Sequence, residues 1–144
     1  MLSIGSFTLV KNEAFWIGAH LEMWLPHLSE MVLFDGNSTD CTLQIILDII
    51  RNHPLGHKVR VFTDKDPKNL QDDYVRLFNE ALRSVNSDLA FFLHPDMIPV
   101  GVPENFDHLD GAVAASVRMR SFAGEPDGEL FEIKGRGNAW KTGK

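Results

Sequence analysis

The sequence predicts an α/β fold, a mainly parallel sheet with helices on both faces, and three observations carry that expectation. Between residues 3 and 93, short apolar runs alternate with longer stretches of helical periodicity, the order of a βαβ chain. The run LAFFL at 89–93 shows no polar alternation, as a strand covered on both faces reads. Polar and turn residues gather directly behind each apolar run, at the edge where open α/β sheets meet their ligands.

The first strand is SIGSFTLV (3–10), and a helical pattern over EAFWIGAHLEMWL follows until Pro26, which cannot continue a helix. MVLF (31–34) is the second strand. CTLQIILDIIRN then sets Leu43, Ile46, Leu47 and Ile50 on one helical face before HPLGH breaks it. KVRVF (58–62) supplies the third strand, and LQDDYVRLFNEALRSV a third helix with Val75, Phe78, Leu82 and Val85 in register. LAFFL is the fourth strand, expected near the sheet centre. Beyond Pro95, GAVAASVRMR reads as a strand, GEPDGE as a turn and LFEIKG as a returning strand, a β-hairpin-like segment at the C-terminal end. The tail GRGNAWKTGK, rich in glycine and cations, reads as a loop whose next element is missing, so an incomplete domain is expected.

The 144 residues fit one domain with its own core. A formal net charge of -6 argues against a binder of nucleic acid, which shows a basic face or stripe. Cys41 is the only cysteine, so an intrachain disulfide and a Cys-rich zinc site are excluded and a reducing cytoplasm is expected. No apolar run approaches the ~18 residues of a spanning helix, and a soluble protein is the reading, with peripheral membrane attachment left open. His53 and His57 are four apart, but Pro54 and Gly56 between them break the helix that would set both on one face, and no Gly-x-Ser-x-Gly elbow occurs, which argues against zinc-enzyme and serine-hydrolase readings.

The rim candidates are Lys11, Asn12 and Glu13 after the first strand, Asp35 to Asp40 after the second, Thr63, Asp64 and Asp66 after the third, and His94 and Asp96 after the fourth. Ser38 or Thr39 is expected to cap the second helix, a contribution of about 1 kcal/mol. Asp35 lies too far ahead of that helix to be its cap. His94-Pro95-Asp96 also fits an ordinary strand-ending turn. Cys41 reads as a small packing residue, and Phe15, Trp16 and Trp24 as helix–sheet packing. Arg118 and Arg120, two apart on a strand, share a face where they could meet a phosphate or an acceptor, a solvated pair being the commoner explanation.

Taken in order, LVKNEAFWIGAHLEMW, VLFDGNSTDCT, LFNEAL and SDLAFFLHPDMI resemble the family 2 glycosyltransferases, whose nucleotide-binding half has the Rossmann-like GT-A fold. The likeness spans about residues 3–100. It implies a GT-A-like α/β fold and a nucleotide-sugar site in which Val10, Glu13 and Asp35 contact the nucleoside. Asn79 matches the second member of the family's Arg-Asn pair, while Phe78 stands at the arginine and Arg76 is out of register. The family's Asp-x-Asp motif holds the ribose and a divalent cation, Mn²⁺ or Mg²⁺, that bridges the diphosphate. Here that motif is His94 and Asp96, with the imidazole, a ligand better suited to Mn²⁺ than to Mg²⁺, at the first position.

Family members are longer, so the resemblance implies one domain over 1–144 whose first 100 residues form the nucleotide-binding half, with residues 101–144 beginning an acceptor half. Asp127 and Glu129 fall where that half starts, and no catalytic base is assigned. The expected function is transfer of a sugar from a nucleotide-diphosphate donor to a hydroxyl acceptor of unknown identity. The alternatives are a non-catalytic nucleotide-sugar-binding or assembly module of the same fold, and a piece of a longer enzyme. A nucleotidyltransferase needs a Gly-rich basic loop after the first strand, and VKNEAFW offers a single lysine.

Overall fold

The computed structural model describes residues 1–64, 73–99, 102, 106–109, 114–124 and 130–141. The elements run β1 (Ile4–Val10), α1 (Ile17–Trp24), β2 (Glu30–Asp35), α2 (Thr42–Asn52), β3 (Val59–Thr63), α3 (Tyr74–Ser84), β4 (Leu89–Phe92), β5 (Ala114–Gly124) and β6 (Leu130–Lys141). They build one six-stranded sheet in the order β3-β2-β1-β4-β6-β5. The first four of these strands in spatial order are parallel, and β6 runs antiparallel to both β4 and β5.

Successive side chains of a strand point to opposite faces, and the sheet accordingly has two cores. On one face Ile4, Val10, Met31, Leu33, Val59, Leu89 and Phe91 meet Ile17, Leu21 and Leu25 of the α1 segment and Ile46 of α2. On the other, Phe7, Leu9, Val32, Phe34 and Ala90 meet Leu77 and Ala81 of α3 and the following Val85. Each large side chain so buried contributes roughly 1.5–3 kcal/mol. Gly5 is required where β1 passes the start of β2, since a Cβ there would lie 2.7 Å from Val85 and 2.8 Å from Glu30.

The expected strands are all present, and β4 is interior, between β1 and β6. The helical stripes are borne out in part. α2 turns Ile45, Ile46, Ile49 and Ile50 toward the core rather than Leu43 and Leu47. α3 keeps Phe78, Leu82 and the following Val85 on the core as expected and adds Leu77 and Ala81, while Val75 is 73% exposed. A four-residue apolar stripe can be drawn on either side of such helices, and the sheet decides which one packs.

α1 starts four residues later than its pattern suggests, because Asn12 takes a left-handed conformation (φ 56°) and a turn intervenes. The tail is not a loop as far as Lys141: β6 continues through Gly135 and Gly137, and Ala139, Trp140 and Lys141 pair with Phe91, Ala90 and Leu89. The exposed edge of β4 presents backbone donors and acceptors that this pairing satisfies. Glycine's weak strand propensity concealed it.

Candidate functional site

The loops after β1, β2 and β4 stand at one rim. β1 lies between β2 and β4, so with strands ~4.8 Å apart the ends of β2 and β4 are separated by roughly 10 Å. Asp35 is the last residue of β2, in register with Val10. Its carboxylate is 1% exposed and accepts the Ser38 amide at 3.1 Å. Val10 is fully buried and its carbonyl accepts the Gly36 amide at 2.8 Å.

Asn12 and Asn37 are the non-glycine residues with positive φ among those described, at 56° and 62°. Asparagine tolerates that conformation better than most side chains. The turn it creates lets the two loops bond to each other. The Asn12 side-chain oxygen accepts the Thr39 amide (2.8 Å), and the Asn12 amide donates to the Ser38 hydroxyl (2.9 Å). The Glu13 amide donates to the Thr42 hydroxyl (2.8 Å), and the Lys11 ammonium to the Gly36 carbonyl (2.8 Å). Asp40 accepts from the Ala14 amide and from the amide and hydroxyl of Thr42. The Thr42 hydroxyl bond, foremost, holds the Asp40 carboxyl below its ordinary range.

These bonds replace the expected cap. Ser38 and Thr39 serve the β1 loop, and the N-cap position of α2 is Cys41, which is exposed and makes no side-chain cap bond. Cys41 is therefore not a packing residue. The aromatic expectation also changes: Phe15 is 82% and Trp16 46% exposed, their rings edge-on at 4.7 Å. Trp24 packs against the α1–α2 core.

His94 and Asp96 are exposed beyond β4, with the His94 ring edge-on to Phe92 at 4.6 Å. Glu13 is close enough to feel both: burial raises its carboxyl above the ordinary range, Asp96 and Asp40 raise it further, and His94 opposes them. Buried His20 feels the same two groups. Glu13 thus lies within electrostatic reach of Asp40, His94 and Asp96, with Asp35 at the adjoining strand end. Among the described residues no three His, Cys, Asp or Glu side chains form a metal-holding group by themselves.

Other candidates lie elsewhere. Asn79 is exposed on α3, whose packing residues belong to the opposite core. Asp64 is drawn to Arg76 at 3.1 Å, and Arg76 also pairs with Asp73 and Glu80. A concavity of about 420 Å³ flanked by Phe34, Phe62, Leu77 and Ser84 is on that α3 side, away from His94 and Asp96. Thr63, Asp64, Glu80 and Arg83 complete its lining, so the rim candidates after β3 border this concavity. Asp66, Asp127 and Glu129 lie outside the described residues, and Arg118 and Arg120 fall within β5.

No protein-family model and no curated protein sequence matches the chain. Solved structures do. A mannosyltransferase from Pyrobaculum calidifontis in complex with GDP-Man and Mn²⁺ superimposes at a TM-score of 0.63 with 17% identity, covering 97% of this chain and 44% of its own. Glucosyl-3-phosphoglycerate synthase from Mycobacterium tuberculosis in complex with phosphoglyceric acid aligns over 67% of this chain and 34% of its own, with 18% identity and a TM-score of 0.49. This chain spans less than half the length of the mannosyltransferase. What the two share along nearly all of the present sequence is the α/β architecture, and the chain has the GT-A-like fold.

Proposed function

We propose that the chain is a glycosyltransferase-like domain that binds a nucleotide-diphosphate sugar at this rim and presents it to a hydroxyl acceptor. The observation that carries the reading is the gathering of Glu13, Asp40, His94 and Asp96 beside buried Asp35. The fold is one on which a structural neighbour holds GDP-Man and Mn²⁺. Val10, Glu13 and Asp35 are assigned to the nucleoside, with His94 as a further nucleotide contact. Asp35 has the chemistry for a nucleobase N–H, because a carboxylate offers about four acceptor sites and one backbone amide occupies it here.

The rim fits a divalent cation in charge. The Glu13 carboxyl feels the charges of Asp96 and Asp40, with His94 opposing them, so Asp96 and His94 would hold the ion through an oxygen and an imidazole nitrogen. When bound, such an ion stabilises charge on the departing diphosphate. The chain's own residues position the nucleoside, and Thr42 holds Asp40 ionised beside it. No residue is assigned as base. The domain reading is one unit, residues 1–100 serving the nucleotide and 101–144 entering the acceptor side. No helix among the described residues is long and apolar enough to cross a membrane, and a cytoplasmic site of action, with or without peripheral membrane attachment, accords with the single unpaired cysteine.

The test is a thermal-shift panel of nucleoside diphosphates with and without Mn²⁺. A raised melting temperature with UDP or GDP, larger with metal, supports the reading, since a ligand that binds only the native state stabilises it. Unchanged melting across the panel overturns it. A second reading, a binding or assembly module without turnover, is favoured by His94 at the first motif position. Calorimetric binding without sugar-nucleotide hydrolysis or transfer selects it.

A further inference from the structure

We infer that His20 and Trp24 are positioning residues that set where Asp96 stands relative to Glu13, by jointly gripping the carbonyl of Met97. The inference rests on the donor-site reading above. Residues 94–97 form a closed turn: the Met97 amide donates to the His94 carbonyl (3.0 Å), and the His94 amide lies 3.4 Å from the Met97 sulfur. The Met97 carbonyl accepts from the Trp24 indole at 2.9 Å and from His20 Nδ1 at 3.1 Å. A carbonyl has two lone pairs, and both are used.

Because a carbonyl only accepts, Nδ1 carries the His20 proton. Nε2 is then the acceptor facing the Thr8 hydroxyl, at 3.5 Å. His20 and Trp24 are one turn apart on α1 and so face the same way, and α1 is seated by Ile17 and Leu21 in the core. The same helix is led by a turn in which the Glu13 carbonyl accepts the Trp16 and Ile17 amides. One helix therefore fixes both sides of the rim, Glu13 through its leading turn and Asp96 through its fourth and eighth residues. An apolar side chain at position 20 would fill the same volume, so a nearly buried imidazole (1% exposed) serves direction rather than packing.

The experiment uses the double variant His20→Leu with Trp24→Phe, and His20→Asn, whose amide nitrogen takes the Nδ1 position. Calorimetry with GDP and UDP, with and without Mn²⁺, is expected to show Mn²⁺-dependent affinity falling about tenfold in the double variant, the sum of two ordinary hydrogen bonds. Metal-free affinity should change less than about twofold, and His20→Asn should retain wild-type affinity, as only the lost donor matters. No loss, or equal loss with and without metal, overturns the inference. Amide hydrogen exchange at Met97 needs no ligand: exchange faster by about tenfold, with β1 unchanged, supports the grip, and unaltered exchange overturns it. If wild-type protein binds no nucleoside diphosphate, the functional reading fails alone and exchange still decides the positioning role. Should the double variant not fold, Trp24→Phe carries both readouts.

Discussion

The two turns that frame the rim are held in opposite ways. The turn after β2 is closed on itself by the Ser38 amide donating to Asp35, and is bonded along its length to residues 11–14 through Gly36, Ser38, Thr39, Asp40 and Thr42. The turn after β4 is gripped at its far end by α1 and leaves His94 and Asp96 exposed. The first spends its polar groups on itself, which suits a rigid shape to be matched. The second keeps its charged groups toward solvent and the other carboxylates, which suits a partner carrying charge. Rigid placement and available charge are different demands, and the sequence meets them on the two strands that flank β1.

The largest expected effect breaks the second turn by protonating its anchor. Burial, above all, lowers His20 from 6.5 to about 4; Asp96 and the Met97 bond favour its charged form and His94 opposes it. A group whose folded pKa lies below its unfolded one binds more protons when unfolded, so its contribution is complete above pH 6.5 and lost as pH falls toward about 4. The loss is about 3 kcal/mol at most. Urea unfolding from pH 7 to 4 measures it, and His20→Leu should flatten the profile; a slope unchanged in that variant contradicts the assignment.

Next in size, Asp96→Ala separates holding a ligand from holding the fold. At ligand a hundredfold above Kd, wild-type stabilisation is about 2.7 kcal/mol, and the variant should lose the Mn²⁺-dependent part while melting like wild type without ligand. The first turn responds the other way. Asn12→Ala removes the acceptor of Thr39 and puts at φ 56° a residue that lacks asparagine's tolerance of that conformation, costing about 2 kcal/mol without ligand. Asn12→Gly, which tolerates that backbone, should recover part of the loss; equal losses in both would show that backbone conformation contributes nothing there.

How far the sequence disclosed this follows the same division. The parallel sheet was legible because short apolar runs have one stable use when turn residues bound them, and the rim followed from chain direction alone. The convergence of Glu13 and Asp96 follows from β1 and β4 being neighbours. Contacts set by distant residues stayed hidden. Ser38 and Thr39 carry the composition of helix caps, yet Asn12, 26 residues before Ser38, claims the Ser38 hydroxyl with its amide. His20 and Trp24 sit within an apolar pattern whose spacing says core, and nothing local signals that their polar atoms meet Met97. The pairing of β6 with β4 hid behind glycines, because it depends on an open edge elsewhere rather than on the segment's own propensity.

The smallest expected effect sharpens the comparison most, because it has opposite signs in two assays. Burial first, then Asp96 and Asp40, raises the Glu13 carboxyl. A raised carboxyl pKa means that the native state holds the proton more tightly than the unfolded chain, so stability falls as pH rises past 4.5 toward the folded value. Glu13→Gln should therefore raise the melting temperature slightly at neutral pH and leave it unchanged near pH 3. The same substitution should weaken nucleoside diphosphate binding, because it removes a charged contact assigned to the nucleotide. A residue kept for packing loses stability when altered; one whose charge is held at a cost to the fold gains it and loses ligand, the mark of strain retained for binding. If Glu13→Gln lowers melting and leaves binding intact, Glu13 belongs with the self-bonded turn, and the division of labour at the rim shifts wholly to Asp35, His94 and Asp96.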